Sequence, residues 1–221
     1  MKMSFPWLVG VAAASFAAVA LAAAEPTVMG MRVEIVDTTG TPVDDAVTSL
    51  LPLDRSVTFA PPAEPVAIIQ QGEEFQPYVT PVVTGTRVNF PNQDKVQHHV
   101  FSVSKAKKFD LQLYRGEPKE TVLFDQPGIV SLGCNIHDWM AAYVVVLATP
   151  HFAKSGSSGV AAVSGLPPGR YRLEVWHPRL KVPEQREVTI TADPATQVMK
   201  VTLGIDRRVR RAPDGGTGSY K

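Results

Sequence analysis

The chain has 221 residues and a single cysteine, Cys134. It lacks an excess of either charge, since 22 Lys and Arg residues are balanced by 21 Asp and Glu residues. Nucleic-acid binding depends on a strong basic excess, so we expect no nucleic-acid partner. The sequence also contains no P-loop, no dinucleotide fingerprint and no G-x-S-x-G motif. We therefore expect neither a nucleotide site nor an acyl-transfer triad.

Long segments with a 3.6-residue hydrophobic period are missing beyond the N-terminal region. Short runs with β-branched and aromatic residues occur instead, separated by turns formed among 19 prolines and 16 glycines. Regular short strands with turn signals between them predict an all-β fold, a β-sandwich or barrel. The strands are expected at 31–36, 46–51, 66–70, 78–83, 86–90, 98–103, 109–114, 120–124, 129–134, 141–148, 160–164, 170–176, 187–192 and 197–203.

The N-terminus has the three parts of a secretory signal peptide. Lys2 supplies the positive charge, 7–21 form the apolar run, and Ala22-Ala23-Ala24 is a small-residue cleavage site. We therefore predict a signal peptide at 1–24, a periplasmic location and no stable membrane insertion after cleavage. The alternative is an uncleaved anchor, because the 18 residues of 7–24 are the minimum length for a span.

Three soft or borderline metal donors lie within C-N-I-H-D-W-M, residues 134–140. The thiol of Cys134 in an exported chain can pair between chains, remain reactive or bind a metal. His137 and Met140 nearby favour the metal. One further imidazole would complete a His2Cys site with a weak axial Met, which is the ligand set of blue copper.

The doublet His98-His99 offers that imidazole. Strand periodicity does not decide between the two histidines, because His98 shares a face with Val100 and His99 shares one with Phe101. Both histidines therefore remain candidates at this point. His151 and His177 lie apart from any such group of donors, and we interpret both as structural.

Two longer stretches resemble the cupredoxins, the family of plastocyanin and amicyanin. They are V-V-T-G-T-R-V-N-F-P-N-Q-D-K-V-Q-H-H-V-F-S at 82–102 and F-D-Q-P-G-I-V-S-L-G-C-N-I-H-D-W-M at 124–140. Exported methylamine-utilisation-like proteins are more similar still, since they carry H-H-V-F-S and C-N-I-H-D-W-M. The likeness covers 66–147.

The resemblance implies one copper ion per chain, held by His98, Cys134 and His137 with Met140 as axial ligand. His99 then occupies the position of the family Asn, which holds the ligand loop by a hydrogen bond, and it is either such a supporting residue or an alternative ligand. Asp138 and Trp139 replace the usual Pro and aromatic residue. The family likeness further implies a single-electron carrier that is not an enzyme and that docks on a redox protein.

Two other phrases resemble a carboxypeptidase-regulatory-like β-sandwich. They are D-T-T-G-T-P-V-D-D-A-V at 37–47 and G-L-P-P-G-R-Y-R-L-E-V at 165–175. We therefore predict a copper domain at 64–148 inserted into a second small sandwich built from 26–60 and 150–204. The alternative is two sandwiches in tandem. The polar, Gly-rich tail at 205–221 is expected to be disordered.

Other functions use the same residues differently. A copper transport or storage protein would employ the same ligands without carrying electrons. A copper enzyme would need an open position on the metal, and a binding or adhesion module would hold no metal. We expect an electron carrier, because four protein ligands leave no position for a substrate.

Overall fold

The computed structural model describes residues 30–191 and 197–205. The predicted signal peptide at 1–24 lies outside the described residues, as does the predicted disordered tail apart from its first residue, Ile205. No helix in the described part of the chain has the length and apolar character needed to cross a membrane.

The described residues form strands joined by turns and loops, which confirms the predicted all-β fold. The strands are β1 (Gly30–Asp37), β2 (Val47–Pro52), β3 (Val66–Ala67), β4 (Ile69–Gln70), β5 (Phe75–Gln76), β6 (Val79–Val83), β7 (Thr86–Asn89), β8 (His98–Ser104), β9 (Lys107–Tyr114), β10 (Val122–Phe124), β11 (Gly128–Gly133), β12 (Ala141–Leu147), β13 (Phe152–Lys154), β14 (Val160–Ser164), β15 (Gly169–Trp176), β16 (Glu184–Ile190) and β17 (Gln197–Leu203).

Most strands begin and end within three residues of their expected positions, but the expected strand at 66–70 is divided. Val66 and Ala67 pair with β7, whereas Ile69 and Gln70 pair with β5. The backbone changes partner at Ile68, and this residue belongs to neither strand. The short strands β5 and β13 were not predicted, because two or three residues are too few for a recognisable alternation.

The two ends of the chain form one sandwich, which we call the flanking sandwich. One sheet has the order β14-β1-β17, and the other has the order β13-β2-β15-β16. Val33 and Ile35 of β1 share a fully buried core with Leu173 and Val175 of β15. The residues before and after the middle of the chain thus pack against each other, which the insertion hypothesis requires. The exact domain limits remain a prediction.

The middle of the chain forms what we call the central sandwich, β3 to β12. Its larger sheet has the order β6-β12-β11-β8-β9, and a smaller sheet has the order β10-β7-β3. Between them lies a second core that includes Phe90, Val100, Phe124, Val144 and Cys134. This core extends to the end of β11, where the cysteine follows.

Both faces of β12 are buried, which explains its unbroken apolar sequence A-A-Y-V-V-V-L. Ala142, Val144 and Val146 face the central core. Val145 and Leu147 point to the opposite face and join Val47, Val79 and Trp176 in a third apolar cluster between the two sandwiches. The rings of Tyr143 and Trp176 meet edge to face there, with their centroids 5.5 Å apart.

Replacing Leu173 by Ala should test the shared core of the flanking sandwich. Leu173 is fully buried, so the lost contacts and the cavity should lower the free energy of unfolding by about 2–5 kcal/mol. Urea unfolding measures this change. The control Val198→Ala, at an exposed position of β17, should alter it by no more than about 0.5 kcal/mol. Equal effects of the two changes would contradict the shared core.

His177 should make stability depend on pH. Burial lowers its pKa to about 4, helped by Arg179. The unfolded chain takes up this proton near pH 6.5. The contribution of the neutral His177 ring to the free energy of unfolding is therefore complete above that pH. It is lost as the pH falls from about 6.5 to about 4, by about 3 kcal/mol at most. Urea unfolding at pH 7.5 and pH 5 should show a smaller difference in His177→Asn than in the wild type; equal differences would exclude this role.

Candidate metal centre

Three side chains from separate parts of the central sandwich converge at one end of it. Nδ1 of His98 lies 3.2 Å from Nδ1 of His137. Sγ of Cys134 lies 3.8 Å from the same nitrogen of His137. One donor atom of each residue falls within 4.8 Å of those of the others. The structure therefore brings together three of the four residues that the sequence identified as ligands.

The sheet places these donors. Cys134 follows directly after β11, and Met140 directly precedes β12, so the antiparallel pair β11–β12 closes the loop between them. Within that loop the Met140 amide donates a hydrogen bond to the carbonyl of His137 at 2.9 Å, which tightens its second half into a turn. The neighbouring strand β8 supplies His98, since β8 pairs with β11 through Phe101 and Gly133.

Gly133 allows a close approach beside the cysteine. A Cβ atom at this position would lie 3.0 Å from two atoms of the Phe101 ring. The bare backbone before Cys134 can therefore pack directly under that ring. A side chain at Gly133 would displace either the ring or the strand end that carries the cysteine.

Because side chains alternate along β8, His98 and His99 lie on opposite faces of the strand. His98 is completely buried and lies on the same side as Val100, which belongs to the central core. His99 lies on the outer side, where its ring contacts that of Phe101 and Nε2 lies 2.6 Å from Oδ1 of Asp110. A β-bulge between His98 and Val100 shifts the pairing with β9 at this point.

His99 accordingly does not make the contact expected of the family Asn. Its second nitrogen, Nδ1, is buried and has no hydrogen-bond partner among the described residues. The hydrogen bond of its ring is with Asp110 of β9, and not with the Cys134–Met140 loop.

Asp94 determines which nitrogen of His98 faces the other donors. Nε2 of His98 lies 2.8 Å from Oδ2 of Asp94. An ionised carboxylate only accepts hydrogen bonds, so Nε2 carries the proton. In the neutral ring Nδ1 then keeps its lone pair, which is directed at His137 and Cys134. Histidine ligands of metals are commonly held in this way by a carboxylate on the opposite nitrogen.

Asp94 is held in its ionised form by several donors. Burial alone would raise the pKa of this carboxyl group. The hydrogen bonds from the Glu73 amide, the His98 ring and the Gly72 amide together lower it by more, so the pKa falls below its usual value. Its two oxygens accept from the Gly72 amide at 2.7 Å and from the Glu73 amide at 2.9 Å. The same carboxylate thus fixes His98 and the turn between β4 and β5.

His137 is the most accessible of the three donors, with 14% of its side chain exposed. Burial lowers its pKa, His98 lowers it further, and the negative charges of Glu73 and Asp94 act in the opposite direction. The ring of Trp139 lies against it, with centroids 5.2 Å apart. Because its pKa is lowered, the imidazole of His137 is neutral at neutral pH. The neutral form is the one that binds a metal.

Met140 is buried in the central core together with Cys134. It follows the His137 turn at the end of the loop, and its role as the axial ligand stays a prediction. His151 and His177 lie elsewhere: His151 packs against Tyr171 of the flanking sandwich, and His177 accepts a hydrogen bond from the Arg179 amide. Both behave as structural residues.

The donor set fits a single metal ion. Two nitrogen ligands at about 2.0 Å from one ion are separated by no more than about 4 Å, and a sulfur ligand at about 2.3 Å extends this to about 4.3 Å. The His98–His137 distance of 3.2 Å and the Cys134–His137 distance of 3.8 Å fall within these limits, and the donor atoms of His98 and Cys134 lie within 4.8 Å of each other. Thiolate and two imidazoles with a thioether nearby match copper better than zinc, for which a thioether is a poor ligand.

The sequence interpretation did not identify Asp94 or Glu73 as parts of this site. Asp94 could have been found, because it precedes His98 by four residues within the motif N-Q-D-K-V-Q-H that was recognised. Glu73 carries no such signal. Its turn belongs to a hairpin whose two strands are only two residues long.

Comparison with known proteins gives a likeness to cupredoxins. No family model matches the chain, and no curated protein matches it. Among solved structures, it is similar to a purple cupredoxin from Nitrosopumilus maritimus, with 21% identity over 37% of this chain and 99% of that chain and a TM-score of 0.33. It is similar to a mutant of amicyanin in its reduced form, with 17% identity over 47% of this chain and 100% of that chain and a TM-score of 0.36.

A copper-containing nitrite reductase, NirK from Thermus scotoductus SA-01, is also similar. The identity is 22%, over 52% of this chain but only 28% of the reductase, with a TM-score of 0.37. The first of these structures is a cupredoxin and the third a copper-containing enzyme by their own names. Each likeness covers only about half of this chain or less, so the function is argued from the site itself.

Changing Asp94 to Asn should weaken metal binding. Asn has one acceptor oxygen, so it cannot accept both from the Gly72 amide on one side and from the Glu73 amide and His98 on the other. The negative charge beside the ring is also lost. Loss of such a supporting partner typically reduces metal affinity 10- to 100-fold. Competition titration with a copper chelator measures this affinity.

Asp110→Asn is the matched control, because Asp110 contacts His99 in the same way. If His98 is the ligand, the control should change copper affinity less than about threefold, on the order of a surface substitution. A larger loss in Asp110→Asn than in Asp94→Asn would contradict the role of His98.

Proposed function

We propose that this chain is an exported type 1 copper protein that carries single electrons between redox partners in the periplasm. The observation that carries the proposal is the convergence of Nδ1 of His98, Nδ1 of His137 and Sγ of Cys134. Copper bound by these residues, with Met140 as the axial ligand, would supply a one-electron couple between Cu(II) and Cu(I).

The chain's own residues are arranged to keep this site closed. His98 is fully buried, and Cys134 and Met140 are almost fully buried. A buried site with four protein ligands has no position for a substrate, which supports a carrier and not an enzyme. The proton on Nε2 of His98 stays with Asp94, so this ring need not exchange a proton when an electron passes.

His137 offers the route to a partner. It is the donor with an exposed edge, and the neighbouring Ile136 is 49% exposed. In the cupredoxins that the sequence resembles, partners dock around the loop histidine. A redox protein that covers His137 and Ile136 would approach the metal from the end of the sandwich. The partner proposed is a protein, with no role for nucleic acid.

The visible spectrum with copper tests the proposal. We expect the protein from Glu25 onward to bind one Cu(II) and to show an intense sulfur-to-copper band, which Cys134→Ser should abolish. A protein that binds Cu(II) reversibly but stays colourless would instead be a transport or storage protein. Zinc retained in place of copper would also refute the type 1 site.

Separate His98→Ala and His99→Ala variants should behave differently. Loss of His98 removes a ligand and changes the coordination of the copper, so we expect the band to disappear or to shift strongly in wavelength. Loss of His99 removes contacts with Asp110 and Phe101 but no predicted ligand, so the band should persist with at most a small shift. The opposite result would assign the ligand to His99.

A further inference from the structure

The turn between β4 and β5 approaches both histidines of the site. Its residues Gly72 and Glu73 donate their amide protons to the carboxylate of Asp94, which in turn accepts from His98. The side chain of Glu73 extends from the same turn towards the other histidine. Its Oε2 lies 3.9 Å from Nε2 of His137. One short turn therefore carries the Glu73 carboxylate near the outer nitrogen of His137 and donates hydrogen bonds to the Asp94 carboxylate that contacts the outer nitrogen of His98.

The backbone of Glu73 is unusual for its residue type. It has a φ angle of 57°, in the left-handed region that residues other than Gly seldom adopt. The hydrogen bond that its backbone N–H donates to Asp94 holds it there. The turn thus fixes the point from which the Glu73 side chain reaches His137, and a glutamate in this conformation is a reason to look for a role.

The position of this carboxylate bears on the state of the His137 ring. Nδ1 of His137 faces the lone pair of His98, which would favour a proton on Nδ1 in the absence of a metal. The Glu73 carboxylate lies 3.9 Å from Nε2, beyond hydrogen-bond distance, so it favours the proton on Nε2 through its charge. A proton on Nε2 leaves Nδ1 free to bind a metal, so Glu73 and Asp94 act on the two rings in the same sense.

The negative charge of Glu73 would also affect the two oxidation states of a bound copper ion differently. Reduction of Cu(II) by one electron to Cu(I) removes one positive charge and requires no proton. A negative charge close to a ligand ring stabilises the more positive state. Asp94 is 15% exposed and Glu73 is 38% exposed in their side chains, so solvent screens the effect of Glu73 only in part.

We propose that Glu73 is a positioning residue of the metal site, whose negative charge favours the proton on Nε2 of His137 and lowers the reduction potential of the bound copper. The proposal rests on the proposed copper function. It assigns to the β4–β5 turn a role in setting the potential, separate from the roles of the four ligands.

Glu73→Gln tests the charge, because it keeps the size of the side chain and removes its negative charge. We expect the preference for Cu(II) over Cu(I) to fall by about three- to tenfold, where tenfold corresponds to a rise of about 59 mV in the potential of a one-electron couple. The position of the visible band should stay within a few nanometres of the wild type. The difference in potential should shrink at about 1 M salt, because salt screens exposed charges.

Glu187→Gln is the control, since this exposed residue of β16 belongs to the flanking sandwich. The same loss of one charge there should leave the potential unchanged. A potential that is equal in Glu73→Gln and the wild type, both with copper bound, would overturn the proposal without affecting the copper function. Equal rises in both variants would also overturn it, because only net charge would then matter.

A second measurement uses the metal-free protein. Nitrogen NMR of the histidine rings at pH 8 reports which nitrogen of His137 carries the proton. Glu73→Ala should shift His137 by at least about threefold towards the form with the proton on Nδ1, while His98 keeps its proton on Nε2. An unchanged His137 ring would overturn the proposal. This result does not depend on a blue copper band, so it separates a failure of the Glu73 role from a failure of the proposed function.

Discussion

The hydrogen bond between Nε2 of His98 and Asp94 is the contact on which the rest of the site depends. His98 is completely buried, so an imidazole there must have a partner for its N–H group. Asp94 meets this need and at the same time turns the Nδ1 lone pair to the inside. Because its oxygens also accept two amides of the β4–β5 turn, the orientation of a ligand and the shape of a loop are fixed together.

Two of the buried polar groups that lack a hydrogen-bond partner among the described residues lie near this contact. Nδ1 of His99 and Nε1 of Trp139 are buried and make no hydrogen bond among the described residues. A buried polar atom without a partner costs about 1–3 kcal/mol. Both residues are neighbours in the chain of a predicted ligand. Their rings pack against other rings, His99 against Phe101 and Trp139 against His137, without a hydrogen bond for these two nitrogens.

Most of the fold could be predicted from the sequence, because period-2 alternation and turn residues mark strands such as β1 and β15 directly. Cys134 and His137 could also be predicted, since three residues of spacing on one loop keep donors close in any fold. The choice between His98 and His99 could not be made from alternation, because both faces of β8 are buried at this point. Glu73 could not be predicted, because it is far from His137 in the sequence and the turn that contains it has no recognisable motif.

The arrangement of the two sandwiches bears on how such a site could meet a partner. The flanking sandwich packs on the outer face of β12, through Val145, Leu147 and Trp176. None of the three donors belongs to that cluster. The edge of His137 therefore keeps its exposure while the outer face of β12 is covered. A partner that docks there would meet Ile136 and the Glu73 carboxylate together, so the residue proposed to set the potential would also lose its solvent screening. Docking would then strengthen the preference for Cu(II) and favour release of the electron in the complex.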